Sequence, residues 1–322
     1  MKISIVVPCH NEQESLPVLL DALQETSAAM RASRSELGPL ELVLVDDGSS
    51  DGTLAVMREA SSGEGATTHP DLHVRWASMS RGFGKEAAIL AGLSRSTGDL
   101  VATMDADMQD PPSLLPEMLS MLEADPELDS VATRRVSRVG EPPIRSAFAR
   151  AFYRLMGALS DVEVVDGARD YRLMRRQMVD AVLSLPERNR FTKGIYGWVG
   201  FRTAWLEYEN VERAAGETNW SFWGLFAYAI DGIVAFSTKP LVIASGLGAL
   251  MCLLAIVALI FIVVRAAAFG DPVAGWPSLA TLVLLVGGIQ LLCLGVMGQY
   301  LAKTYLEAKA RPIYIVRSSS ED

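Results

Sequence analysis

Residues 40–53 read LELVLVDDGSSDGT. Leu40 to Val45 is a short apolar run, long enough for a strand and too short for an ordinary helix. Asp46-Asp47-Gly48-Ser49 closes it with turn-forming side chains, and a helix is expected from about Thr53. The same unit recurs on both sides. Ile3 to Val7 is rich in β-branched residues and ends at Pro8. His10-Asn11-Glu12 follows, and then a helix over 13–31 with Leu16, Leu19, Leu20 and Leu23 at helical spacing. Downstream, Leu72 to Ala77 reads as a strand, 84–96 as a helix, and Leu100 to Met104 as a strand closed by Asp105-Ala106-Asp107. Pro111-Pro112 suits a first helical turn, residues 128–133 form a fifth strand, and 61–70 a loop. Strands alternating with helices give an α/β fold with a largely parallel sheet covered on both faces. Such sheets bind ligands beyond the carboxyl ends of their strands. The polar clusters 10–12, 46–47 and 105–109 lie at those ends and should converge on one crevice.

Composition divides the chain. Half of the 322 residues are hydrophobic, which excludes a disordered protein. Residues 241–264 carry no charge, and neither do residues 277–302. Each run exceeds the roughly 20 residues that cross a bilayer core, and soluble core helices rarely stay uncharged so long. Together they read as a two-helix transmembrane hairpin whose connecting loop carries Arg265 and Asp271. Lys239, Lys303, Lys309, Arg311 and Arg317 on the flanks place both flanks in the cytoplasm. Trp276 and Tyr300 suit the membrane interface. The formal net charge is −9, and residues 1–240 hold −10 of it, because 241–302 sum to zero and 303–322 to +1. An acidic catalytic part argues against nucleic acid as a partner. Three Cys, at 9, 252 and 293, exclude a disulfide scaffold and a Cys-rich zinc site. Met1 to Pro8 is too short for a signal peptide. The expected domains are 1–212, catalytic; 213–239, juxtamembrane; 240–302, membrane; and 303–322, a tail ending in solvated SSSED.

Several clusters carry chemistry. Asp105 and Asp107 flank Ala106 and fall on one side of an extended segment. Two carboxylates with the neutral oxygen of Gln109 suit a hard divalent cation that shares substrate phosphates; a solvated acidic turn is the alternative. Arg81-Gly82-Phe83-Gly84-Lys85 leads into a helix N-terminus and suits an anion, or is a capped surface helix. Arg134, Arg135, Arg138 and Arg145 could clamp a phosphate, or line a solvated loop. Asp170 precedes a strand-like YRLM. Residues 213–236, with Trp220, Phe222, Trp223, Phe226 and Tyr228, read as an aromatic interfacial helix.

VVPCHNE (6–12), LVDDGSSDGT (44–53), RGFGKEAAILAG (81–92), MDADMQDPP (104–112) and DYRLM (170–174), in this order, resemble glycosyltransferase family 2. With the hairpin, the chain looks like a polyprenyl-phosphate glycosyltransferase. Relatives of that kind include bactoprenol glucosyltransferases, dolichol-phosphate mannose synthases and undecaprenyl-phosphate aminoarabinose transferases. The resemblance implies a GT-A (Rossmann-like) cytoplasmic domain, interfacial helices and the hairpin. It implies that Pro8, Asn11, Glu12 and Asp47 hold a nucleoside, with further nucleotide contacts from Arg81, Lys85, Asp105 and Ala106. Asp105, Asp107 and Gln109 would hold Mg²⁺ or Mn²⁺. Asp107 and Asp170 would be catalytic, Asp170 in acceptor activation, and Arg213 would meet the lipid phosphate. Relatives often carry Ser-Lys-Tyr where this chain has Thr218-Asn219-Trp220. The clamp on the acceptor phosphate then falls to Arg213, Arg134, Arg135 and Lys193. The implied partners are a nucleotide sugar, UDP rather than GDP, a polyprenyl phosphate, the membrane, and other copies of the chain, a tetramer among the options. A processive polysaccharide synthase lacks support, since no Gln-x-x-Arg-Trp element is present. A non-catalytic nucleotide-sugar sensor sits poorly with intact Asp105, Asp107 and Gln109.

Overall fold

Strand formation follows the apolar runs. The structure, a computed structural model, describes residues 1–135, 165, 167–208, 234, 237–269 and 275–321. Among them are β1 (Ile3–Cys9), β2 (Leu40–Asp46), β3 (Leu72–Met79), β4 (Leu100–Thr103), β5 (Ser130–Arg135), β6 (Ala168–Arg175), β7 (Thr203–Tyr208) and β8 (Val316–Ser319). They form one sheet in the order β7-β5-β6-β4-β1-β2-β3-β8. Strands β4, β1, β2 and β3 are mutually parallel, as are β5 and β7. Strand β6 runs antiparallel between β4 and β5. This mixed sheet with helices on both faces is the GT-A fold.

Side chains alternate between two cores, because successive strand residues point to opposite faces. Ile3, Ile5 and Val7 pack with Leu16, Leu19 and Leu23 of α1 (Ser15–Ser33) and Met118 and Leu119 of α5 (Leu115–Ala124). Val6, Val43 and Val45 face Ala88 and Ala91 of α4 (Lys85–Arg95), Met178 and Val182 of α6 (Arg176–Ser184), and Ile195 of α7 (Thr192–Trp198). Helix α4 lies close on the sheet at Gly92, where an added Cβ would stand 2.2 Å from Val6 Cγ1. That approach brings its N-terminal Lys85 to the carboxyl edge of the parallel strands. Because Thr103 of β4 lies opposite Arg172 of β6, the start of β6 reaches the same edge.

Helices α2 (Thr53–Ser61) and α3 (Gly63–Thr68) follow β2. The loop expected over 61–70 is therefore partly helical. The SSSED tail, expected to be solvated, departs further. Strand β8 pairs antiparallel with β3, with Ser318 opposite Ser78, and Ser80 N donates to Ile315 O at 2.9 Å. Main-chain bonds to an open sheet edge require no apolar pattern, so composition hid this strand.

Helices α8 (Lys239–Phe269) and α9 (Trp276–Ala308) have 31 and 33 residues. At about 1.5 Å rise per residue each outreaches a ~30 Å hydrocarbon core. The stretches Lys239–Ala258 and Leu285–Ala308 are long and apolar enough to cross a membrane, and Phe261 and Leu291 are among many exposed apolar side chains. The two helices pack side by side: Cys293 Sγ donates to Ala244 O at 3.5 Å, and Tyr300 Oη to Ser237 O at 2.6 Å. Helix α9 continues beyond the apolar run to Ala308, where Glu307 accepts from the backbone N–H groups of Arg188 and Asn189 at 2.7 and 3.0 Å. Arg138, Arg145, Arg213, Asp271, the 218–220 triplet and the expected interfacial helix, apart from residue 234, lie outside the described residues.

Candidate active site

Residues 10–12 bond directly to the 46–53 turn, and the 81–85 segment joins that turn to Asp105; the residues divide into those that build the crevice and those that line it. Asp46 is a builder. It is buried, and it accepts from Ser49 N at 2.9 Å and Ser78 Oγ at 2.7 Å. Asp47 carries the chain into α4: its two carboxylate oxygens accept from Phe83 N at 2.6 Å and Gly84 N at 2.9 Å. Gly48, at φ +67°, lets this turn touch the 81–84 segment; an added Cβ would lie 2.5 Å from Arg81 C and Gly82 N. Asn11 adopts φ 58°. Its N–H donates to Ser49 Oγ at 3.0 Å, and its Oδ1 accepts from Ser50 N at 2.8 Å. Glu12 N donates to Thr53 Oγ1 at 2.8 Å, and the Glu12 carboxylate accepts from Ser15. Pro8 sits in β1 opposite Val45. The ends of β1 and β2 are thus locked together by side-chain bonds to backbone. Arg81 is exposed, with its guanidinium 4.1 Å from the centre of the Phe83 ring.

Beyond β4 the crevice holds a chain of alternating charges. Lys85 Nζ lies 2.6 Å from Asp105 Oδ1 and 2.5 Å from Asp170 Oδ2. Lys193 Nζ lies 3.7 Å from Asp170 Oδ1 and donates to Ala168 O at 3.0 Å. Thr103 Oγ1 donates to Asp170 O at 2.6 Å and fixes that backbone. Burial opposes the charge on Asp170, but Lys193 first and then Lys85 outweigh it and hold the carboxyl far below the usual range. Burial likewise opposes the Lys85 charge, and Asp105 and Asp170 overcome it, so this ammonium stays protonated well above the ordinary lysine value. Glu86 accepts from Thr192 N at 3.0 Å and from the Thr192 hydroxyl, tying the start of α7 to α4. Its burial pushes its carboxyl upward.

Asp107 and Gln109 occupy the turn after Asp105, with Gln109 N donating to Asp107 Oδ1 at 3.1 Å. Met108 takes φ 60°, and Ala106 is buried. Arg169 donates to Gln109 Oε1 at 3.2 Å and to buried Asp110 Oδ1 at 3.0 Å, and Tyr208 Oη donates to the same Asp110 oxygen at 2.5 Å. No group of three or more His, Cys, Asp or Glu side chains stands ready for a metal among the described residues. Asp105, Asp107 and Gln109 offer only oxygen donors, although Lys85 engages Asp105 and Arg169 engages Gln109 Oε1. Asp105 already accepts a cation from Lys85, which fits a place where positive charge is wanted. Two carboxylates match what Mg²⁺ commonly takes from protein, the remainder coming from phosphate and water.

Not every expected residue joins. Arg134 lies 3.7 Å from Glu207 on the neighbouring strand, in an exposed pair, and Arg135 N donates to Gly167 O at 3.0 Å. Sequence reading missed Glu86, Arg169, Arg172 and Tyr208. Arg169 and Arg172 stand beside Asp170 in a segment already singled out; a buried cation within a strand pattern was the available signal.

A profile described as "Glycosyl transferase family 2" matches residues 4–183. An uncharacterized glycosyltransferase of Synechocystis sp. is 35% identical over 98% of this chain and 95% of its own length. A bactoprenol glucosyl transferase of Shigella phage SfX is 36% identical over 99% of each chain. A putative glycosyltransferase of Bacillus subtilis is 37% identical over 99% of this chain and 92% of its own.

Proposed function

This chain belongs to glycosyl transferase family 2, and we propose that it moves one sugar from a nucleotide sugar to the phosphate of a polyprenyl phosphate. The observation that carries this reading is the charge chain Asp105–Lys85–Asp170–Lys193 at the carboxyl edge of the sheet. It stands in a molecule that also carries two bilayer-length apolar helices. The name of the phage relative, bactoprenol glucosyl transferase, supports a polyprenyl acceptor and a glucosyl donor. UDP-glucose is the donor we favour over GDP-mannose and UDP-aminoarabinose derivatives. Both helices span the membrane in this reading, with the catalytic domain and both termini cytoplasmic, and the protein assembles as a homo-oligomer.

The nucleotide lies along the edge built by Pro8, Asn11, Glu12, Asp47 and the 81–85 segment. Asp105, Asp107 and Gln109 would hold Mg²⁺ or Mn²⁺, which would supply positive charge against the departing nucleoside diphosphate. The acceptor phosphate attacks the anomeric carbon from the opposite face, with inversion. A phosphate monoester is already anionic at neutral pH, its second pKa being about 6, so no strong base is required. Asp170 matches that demand, because a carboxylate held so low is a poor proton acceptor. It orients Lys85 and Lys193 toward the incoming anion. Membranes carrying the protein, incubated with labelled nucleotide sugars and undecaprenyl phosphate, with and without Mg²⁺ or Mn²⁺, test the reading. Metal-dependent label in lipid from UDP-glucose is expected; no lipid-linked product from any donor refutes it.

A further inference from the structure

Between β6, β7 and α7 lies a cavity of about 240 Å³ whose lining includes Arg169, Arg172, Lys193, Tyr196, Thr203 and Trp205. Arg172 is 5% exposed. Its guanidinium carbon lies 4.5 Å from the Tyr196 ring centre and 5.7 Å from that of Trp205. One terminal nitrogen donates to Ser130 Oγ at 3.3 Å and Thr203 Oγ1 at 3.2 Å. Its Nε has no acceptor among the described residues. Arg169 is matched by Asp110 and Lys193 by Asp170, whereas no carboxylate pairs with Arg172 among the described residues. A buried cation without a counter-ion is costly to keep, and here burial draws its pKa down to about 10. Among the described residues the cavity therefore carries one positive charge more than its walls neutralise.

We propose that this cavity is an anion subsite that takes a phosphoryl oxyanion, with Arg172 as its deep ligand and Lys193 at its mouth. A planar guanidinium fork suits a tetrahedral phosphoryl group. Arg172 lies two residues from Asp170 on the same face of β6, about 7 Å along the strand. Lys193 lines the cavity and touches the Asp170 carboxylate as well, so an anion seated here borders the charge chain. The aromatic walls tolerate the apolar start of a prenyl chain. The subsite deepens the transfer reading, on which its assignment to the acceptor rests; the phosphate sources are separable by experiment.

The test is binding, so it does not depend on turnover. Full-length protein in detergent, wild type and Arg172→Met, is titrated with a short-chain prenyl phosphate, the matching uncharged prenol, inorganic phosphate and UDP, and melted in parallel. Losing a charge-assisted bond should weaken prenyl phosphate by about 10- to 100-fold. Inorganic phosphate should weaken in step, prenol should bind neither form appreciably, and UDP should be unchanged. Melting should be unchanged or raised, since a buried unmatched charge is gone. Arg172→Lys should restore part of the phosphate affinity. Prenyl phosphate binding within twofold of wild type overturns the subsite. So does a uniform loss of prenyl phosphate and UDP with a lowered melting temperature, which marks a structural arginine, or a loss confined to UDP, which places the donor there. Wild type that binds prenyl phosphate through Arg172 but makes no lipid-linked sugar sinks the transfer reading and leaves the subsite standing.

Discussion

Lys85→Met removes a cation that touches both Asp105 and Asp170 while keeping an unbranched apolar stem. If Asp105 helps hold a divalent ion, Lys85 competes for the same oxygens when no nucleotide is present. Asp105, Asp107, Asp170 and Lys85 sum to −2, and the variant leaves −3. A charge-assisted bond contributes about 1.5–3 kcal/mol. The Lys85 side chain is 42% exposed and that of Asp105 23%, so solvent screening trims the Asp105 contact to about 1 kcal/mol. Free of that competitor, the variant should bind Mn²⁺ roughly fivefold more tightly without nucleotide. Sugar transfer should fall at the same time, because Asp170 loses its short ion pair and, among the described residues, keeps the longer 3.7 Å contact to Lys193. Titration of the free Mn²⁺ paramagnetic resonance signal with detergent-solubilised protein reads the first effect, and label transfer reads the second. Mn²⁺ affinity equal to or weaker than wild type would refute the reasoning, showing that Lys85 does not compete for the ion's ligands.

Two further substitutions probe the scaffold. Gly48→Ala forces a side chain into φ +67° and sets a Cβ 2.5 Å from the backbone of residues 81 and 82. The left-handed conformation alone costs roughly 1–2 kcal/mol, and the clash must displace the Asp47–Phe83–Gly84 contacts. A lowered melting temperature with weakened UDP binding is expected, and unchanged UDP affinity would show that this turn does not shape the nucleotide edge. Glu41 is buried among Ser4, Thr97, Lys2 and Arg75. Burial alone would raise its pKa, but the bonds from Ser4, Thr97 and Lys2 outweigh it and bring the group from 4.5 to about 2. Its contribution, at most about 3 kcal/mol, is fully present above pH 4.5 and lost as pH falls toward 2. Melting curves of wild type should drop across that window, while Glu41→Gln starts lower and drops less; parallel curves would contradict the assignment.

The sheet and its crevice were legible because their signals are local. Apolar runs of strand length ended three times in polar clusters, and topology places such ends together. What stayed hidden depends on contacts distant in sequence. Nothing in Asp46-Asp47 separates the buried brace, bonded to Ser78, from the carboxylate that receives α4. Nothing near Lys193 in the sequence announced that it also lies 3.7 Å from Asp170. Glu86 gave no sign of holding Thr192, more than a hundred positions away. Arg172 lies within an apolar strand pattern, where only the placement of Tyr196 and Trp205 reveals a cavity. Strand β8 escaped because Val-Arg-Ser-Ser has no periodicity to detect and binds through its backbone.

The hidden contacts join the apolar hairpin to the chemistry. Glu307, at the end of α9, holds the backbone of Arg188 and Asn189, and Lys303 donates to Asn189 Oδ1 at 3.0 Å. Three residues beyond Asn189 the chain enters α7, where Glu86 holds Thr192 and Lys193 meets Asp170. The segment after α9 then returns to the opposite edge of the sheet. On the way Tyr314 bonds Ser94 of α4 at 2.9 Å, and Glu321 pairs with Arg75 of β3 and Arg95 of α4. A helix tied to the catalytic sheet at two separated places cannot rotate freely against it. The distance from the apolar surface to the Lys193–Asp170 contact is therefore set by the chain. On the proposed reading, an acceptor whose tail lies in a bilayer needs its phosphate presented at one fixed depth, and this double attachment would supply that constraint. Against the −10 carried by residues 1–240, Lys85, Arg169, Arg172 and Lys193 gather around Asp105, Asp107, Asp110 and Asp170, four cations to four carboxylates. Side-chain placement thus brings the crevice close to balance, where the domain as a whole is strongly acidic.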